Sequence, residues 1–199
     1  MAGSPAARSS IALLLIDFIN DFEFEGAQRI FPSALAAAKA ASALRRRAKG
    51  AGVPVVYCND NFGRWRSDFR STLAHCLERD VRGRPIAELL KPDEEDYFVL
   101  KPKHSGFEST SLEILLSHLG VRTLILTGIA GDFCVLFTAH GAYMRNYGLL
   151  VPADCVASDT EEDNRFALRH MAKVCKADIR PSPEVAFDSA AARALSRRE

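Results

Sequence analysis

The hydrophobic positions of this chain fall into short unbroken runs separated by longer stretches of helical spacing. The runs are Ile11–Ile16, Val53–Cys58, Tyr97–Leu100, Thr123–Thr127, Gly148–Pro152 and Val174–Ile179. Most are continuous rather than alternating, the pattern of strands covered on both faces in a parallel sheet. Between them, Ser33–Lys49 is alanine-rich and closes on Gly50 and Gly52, which stop a helix. Leu112, Leu115, Leu116 and Leu119 recur at helical spacing, with Thr110 and Glu113 set as a capping box. Phe133–Asn146 reads as another helix, and Ser158 with Glu161 opens a further one that ends near Met171. This βαβα alternation predicts an α/β fold with a mainly parallel, doubly wound sheet of about six strands.

One interval departs from the alternation. Asn59–Lys91 is long for a connection; Asp68–Glu78 within it is expected to be helical, while Gly63, Gly83, Pro85 and Pro92 break the pattern. Excursions of that length in compact domains carry function or cover a site. Residues 1–10, small and polar, are expected to be a flexible N-terminal segment, and residues 11–199 a single domain.

Composition narrows the function classes. A net charge of +1 over 199 residues provides no basic field, so no nucleic-acid partner is expected. Arg45-Arg46-Arg47 is read as the solvated face of a helix. The five cysteines are odd in number and lack CxxC or CxxH spacing, against a disulfide framework or structural zinc. A reduced, cytoplasmic setting is the default, with no targeting peptide and no membrane span expected, since the run Ile11–Ile16 is short and stops at Asp17.

Three chargeable residues follow strand runs: Asp17, Lys101 and Cys134. In an open parallel sheet ligands bind beyond the carboxyl ends of the strands. Cys134 also falls in the first turn of the expected helix, where unpaired N–H groups and the dipole favour a thiolate with a lowered pKa. A carboxylate that takes the thiol proton, an ammonium and a sulfur nucleophile together suit attack on a carbonyl carbon. Each residue also has a plain reading: a small buried hydrophobe for Cys134, a turn cap for Asp17, an exposed strand end for Lys101. Lys103, two residues on, is the competing lysine.

The segments around these residues carry a family resemblance. Leu15-Ile16-Asp17-Phe18-Ile19-Asn20-Asp21-Phe22 resembles the opening motif of the isochorismatase-like cysteine hydrolases. Lys101-Pro102-Lys103-His104-Ser105-Gly106-Phe107-Glu108-Ser109-Thr110-Ser111-Leu112 resembles their lysine motif, and Gly128-Ile129-Ala130-Gly131-Asp132-Phe133-Cys134-Val135 their nucleophile motif. Asp154 also fits. The resemblance spans Ile11 to Ile179 and implies a Rossmann-like three-layer αβα sandwich and a homo-oligomer, a dimer or tetramer. It further implies a catalytic triad of Asp17, Lys101 and Cys134, a cis peptide between Ile129 and Ala130, and an oxyanion hole from the N–H groups of Ala130 and Cys134.

Three departures from the family pattern alter the expectation. Ile19 stands where a glutamine is usual, which removes a polar substrate contact, and Gly131 replaces a common threonine, which is expected to loosen the nucleophile turn. The metal-binding nicotinamidases carry an Asp-x-His arrangement after the second strand, whereas this chain reads Asp60-Asn61-Phe62. Asp60 by itself cannot build a site that needs three protein ligands, so no metal and no cofactor are expected. The retained cysteine favours cleavage of a small-molecule amide, ureide or carbamoyl bond through a thioester over vinyl-ether hydrolysis of the isochorismatase type. A non-catalytic scaffold with the same fold is the alternative of another class. Substrate contacts are expected from Asn59, Asn61, Trp65 and Arg66, a mix of polar groups and ring face suited to a small planar molecule, with Phe22 and Phe107 as pocket walls.

Overall fold

A computed structural model of the chain describes residues 9–61, 68–78 and 80–187. Among these residues six strands form one parallel sheet: β1 Ile11–Ile16, β2 Val55–Asp60, β3 Tyr97–Lys101, β4 Thr123–Ile129, β5 Gly148–Leu150 and β6 Val156–Ala157. Their order is β3-β2-β1-β4-β5, with β6 pairing the upper end of β4. The chain winds outward from β1 through β2 and β3, then returns to the other side of β1 for β4. That reversal leaves a crevice between the carboxyl ends of β1 and β4, where open α/β sheets bind ligands.

Every residue of β1 and β4 is buried, which is why these runs are apolar on both faces. Leu13, Leu15, Tyr57 and Ile125 face α1 (Ala27–Gly50), α2 (Phe69–Cys76) and α3 (Arg84–Leu89). Leu14, Ile16, Val56 and Leu126 face α4 (Leu112–Leu119), α5 (Leu136–Tyr143) and α6 (Glu161–Val174). The fold is a three-layer αβα sandwich. The alanines of α1 at 34, 37, 38, 41 and 48 line its buried side, and their small side chains let the helix lie close to the sheet.

Several elements differ from the sequence expectation. Helix α1 begins at Ala27, six residues before Ser33, and carries Pro32 inside it. Pro32 removes one donor, while Ala27 and Ile30 are buried against the core, and Ser33 Oγ donates to the Ile30 carbonyl. Helix α3 forms despite Pro85, because proline is tolerated in a first turn, where N–H groups lack helical partners. The capping box does not form: Ser111 is the N-cap of α4 without a side-chain cap bond, Thr110 Oγ1 serves Gly106 and Leu112, and Glu113 pairs with Arg145. Thr160, not Ser158, caps α6 by accepting from Asp163 N.

The expected strand Val174–Ile179 is not one. Helix α6 runs through Val174, Lys176 turns with φ 56°, and only Asp178 bridges to Leu150. The sixth strand is instead the two-residue β6, too short to give a readable run. The arginine run is not simply a solvated face either. Arg45 is buried against Asp96, and Arg47 donates to the carbonyls of Ser182 and Val185, pinning the C-terminal segment onto α1. Among the described residues no helix is long and apolar enough to cross a membrane.

Candidate active site

Asp17 is the first residue beyond β1. Its backbone is left-handed, with φ 52°, a conformation that costs a non-glycine residue roughly 1 kcal/mol or more. Two bonds hold it there: Asp17 N donates to Cys58 O at 3.1 Å, and Asp17 Oδ1 accepts from Asp60 N at 2.6 Å. Directly across the crevice, Gly128 of β4 lies in register with Ile16 and has φ 134°. A Cβ there would sit 2.1 Å from the Ile16 carbonyl oxygen, so only glycine lets the two strands meet at this height.

Beyond Gly128 the Ile129–Ala130 peptide is cis. The next residues, Gly131–Val135, form a π-helical turn that leads into α5 and carries Cys134, half-buried. Gly131 does not loosen this turn. It is buried so tightly that a Cβ would lie 2.6 Å from Asn164 Oδ1 and 2.7 Å from Val156 Cγ1, and Asp132 N donates to Ser158 Oγ at 3.2 Å. The absent side chain is what admits α6 against the nucleophile turn.

Lys101 ends β3, two strand spacings, about 10 Å, from β1. Its side chain is wholly buried and extends across β2. Nζ lies 2.8 Å from Asp17 Oδ2, 3.4 Å from Cys134 Sγ and 3.5 Å from Asp60 Oδ2. Lys103, the competitor, is exposed beyond Pro102. Asp17, Lys101 and Cys134 therefore meet in one place, around the Lys101 ammonium.

The electrostatics differ from the sequence expectation at the sulfur. Burial pushes the Cys134 thiol up, Asp17 pushes it the same way, and Lys101 only partly opposes them. Burial likewise raises Asp17 against the lowering pull of Lys101. For Lys101 burial pulls downward, but Asp17, Cys134 and Asp60 outweigh it and hold the ammonium firmly protonated. The sulfur thus rests as a thiol beside the Asp17 carboxyl group, rather than as a free thiolate. Desolvation outweighs the helix dipole here.

The expected substrate contacts fare differently. Asn59 is fully buried; its Nδ2 donates to Ile19 O at 2.6 Å, which ties β2 to the loop after β1. Phe22 is buried among Phe24 and Phe31 in the α1-side core. Phe107 packs in the opposite core beneath Tyr147 and the Arg145 guanidinium, not on the crevice. Asn61 sits at the carboxyl end of β2, its N–H bonded to Lys101 O. Trp65 and Arg66, with Phe62 and Arg64, lie outside the described residues. Asp154 accepts from Ser182 N and Oγ at 2.7 and 2.6 Å, and so fastens the C-terminal segment instead of facing the crevice.

Two neighbours of the triad stand out only in the structure. Asp60, expected as a polar group toward the substrate and as too few ligands for a metal, lies beside Lys101 because β2 runs past the expected Cys58 and ends on it. His104, which stands in the lysine motif without an expected role, has its Nδ1 3.9 Å from Cys134 Sγ. Among the described residues no three His, Cys, Asp or Glu side chains gather as a metal site.

Comparisons with known proteins identify the family. The isochorismatase domain family matches residues 11–179. An uncharacterized isochorismatase family protein of Bacillus subtilis is 39% identical over 179 residues, covering 90% of this chain and 98% of its own length. Maleamate amidohydrolase of Pseudomonas putida is 30% identical over 169 residues, 78% of this chain and 77% of its own. Among solved structures, N-carbamoylsarcosine amidase from Thermoplasma acidophilum superposes with a TM-score of 0.69 at 26% identity, covering 88% of this chain and 98% of that one. With the family's domain matching residues 11–179 and a relative 39% identical over 90% of its length, the chain belongs to the isochorismatase domain family, a family of hydrolases.

Proposed function

We propose that this protein is a cysteine amidohydrolase that cleaves a C–N bond in a small-molecule amide, ureide or carbamoyl compound. The observation that carries the reading is the Lys101 ammonium 2.8 Å from Asp17 and 3.4 Å from the Cys134 sulfur at the carboxyl edge of the sheet. Relatives named as amidohydrolase and amidase support the reaction class.

In this scheme Asp17 takes the Cys134 proton as the sulfur attacks the carbonyl carbon. The N–H groups of Ala130 and Cys134 receive the developing oxyanion, and Lys101 stabilises the charge on Asp17 and the sulfur. The C–N bond breaks as a proton passes to the leaving nitrogen. Asp17, again a carboxylate, then draws a proton from water, which hydrolyses the thioester and frees the thiol. Asn61, Trp65 and Arg66 remain the proposed substrate contacts.

The test is a screen of small amides, ureides and carbamoyl amino acids for ammonia release, repeated with Cys134→Ala. Turnover that disappears in Cys134→Ala while folding is kept supports the scheme. Ammonia release that survives the substitution, or pyruvate release from isochorismate in its place, overturns it.

A homo-oligomer, dimer or tetramer, is part of the proposal. Phe133, Phe137 and Met144 are exposed along α5 and the turn before it, and Phe166 of α6 continues that surface through His170 and His140. An apolar stripe of this kind supports a second copy as its cover. Light scattering that reads a single chain of 21.8 kDa would refute this. The five unpaired cysteines fit a cytoplasmic setting.

A further inference from the structure

The scheme above asks Asp17 to serve two places. It must take the proton of the sulfur, then deliver one to the departing nitrogen. Asp17 is almost wholly buried and bonded to Lys101. A second chargeable group reaches the sulfur from an exposed residue: His104 Nδ1 lies 3.9 Å from Cys134 Sγ.

This placement is built. The His104 ring stands edge-on to Phe133, 5.4 Å between centroids, and tilted against Phe137 at 5.6 Å, so two residues of the nucleophile turn and α5 hold it. Its loop is tied to the same turn, because Gly106 N donates to Thr138 Oγ1 at 3.0 Å and that hydroxyl donates to Cys134 O at 2.7 Å. Once a carbonyl carbon is bonded to the sulfur, a substituent on that carbon lies roughly 2.7 Å from the sulfur by ordinary bond geometry. A group 3.9 Å from the sulfur comes within hydrogen-bond reach of a substituent turned toward it.

We propose that His104 is the proton carrier for the leaving nitrogen and for the attacking water, with Asp17 serving only the sulfur. The inference rests on the thioester reading above. In the first half, the Cys134 proton goes to Asp17 as the S–C bond forms. The C–N bond then breaks while the His104 imidazolium gives its proton to the departing nitrogen. In the second half, neutral His104 takes a proton from water, hydroxide bonds to the thioester carbon, the C–S bond breaks and Asp17 returns its proton to the sulfur. Each group ends as it began, and no co-reactant beyond water is needed. Imidazole suits both duties because it gains and loses a proton near neutral pH. Among the described residues, the chargeable group in contact with it is Cys134, and Lys101, Asp17 and Asp60 follow beyond the sulfur.

p-Nitrophenyl acetate separates this role from the thioester reading, because its leaving group departs without a proton. Wild-type enzyme should give a burst of p-nitrophenolate and an acetyl group on Cys134, followed by steady turnover. His104→Gln and His104→Phe, the second of which keeps the ring packing, should give the same burst with deacetylation slowed about 100-fold. They should also lose the acid limb of the deacetylation pH profile. Deacetylation at the wild-type rate in both variants, or rescue by phenylalanine alone, would overturn the role of His104 and leave the thioester scheme standing. Absence of acetyl-Cys134 in the wild type would overturn both.

Discussion

Replacing Lys101 with methionine removes the ammonium that faces Asp17 and Asp60 and leaves a chain of similar length in its place. At 2.8 Å, with an effective dielectric constant of about 20, the attraction between Lys101 and Asp17 is about 6 kcal/mol. The variant does not lose that much, because Asp17 can take up a proton instead. Burial already raises Asp17 and Lys101 opposes the rise, so losing Lys101 drives it further upward. Neutralising a carboxyl that ionises near 3.9 in the unfolded chain costs about 4 kcal/mol at pH 7. The smaller figure governs, and a loss of about 3–4 kcal/mol is expected, or about 6–16 °C in Tm for a chain of this size. The sign of the pH dependence follows from the raised carboxyl. The folded variant keeps a proton that the unfolded chain releases above about pH 4, so stability falls as pH rises, by up to about 1.4 kcal/mol per unit. Thermal unfolding followed by circular dichroism at pH 5 and pH 7 tests this. The gap between variant and wild type should narrow by about 1–3 kcal/mol at the lower pH, and Asp17→Asn combined with Lys101→Met should regain most of the loss. A gap of equal size at both pH values, or none at pH 7, would refute the buried ion pair.

Gly128→Ala should destabilise by about 3 kcal/mol or more, or prevent folding, because its Cβ would fall 2.1 Å from Ile16 O at a φ of 134°; urea unfolding measures it. Native iodoacetamide labelling should reach Cys134 alone, slowly at pH 7 and faster as pH rises without a plateau below pH 9, since its thiol is pushed up. Cys58 and Cys155, buried and pushed up to about 12, should stay unlabelled by mass spectrometry until the protein unfolds. Asp154→Ala should cost about 1.5–3 kcal/mol by freeing Ser182 N and Oγ, and proteolysis near the C-terminal segment should quicken.

The buried runs of β1 and β4, the alanine-rich face of α1 and the placement of Asp17, Lys101 and Cys134 after strands were all legible in the chain. They are local signals: an apolar run covered on both faces reads the same wherever the strand sits in the sheet, and a chargeable residue at its end breaks the run. The order β3-β2-β1-β4-β5, which brings Lys101 across β2 onto Asp17 and the sulfur, is not local and came only with the tertiary structure. The two-residue β6 and the helical course of residues up to Val174 were equally out of reach, since neighbours decide them rather than propensity. The state of the sulfur shows the same division. Its position in a helical turn suggested a thiolate, but the desolvation that keeps it a thiol depends on everything packed around it. His104 completes the case: three residues from Lys101 along the chain it carried no signal, and only the folding of its loop onto the nucleophile turn brings its ring to the sulfur.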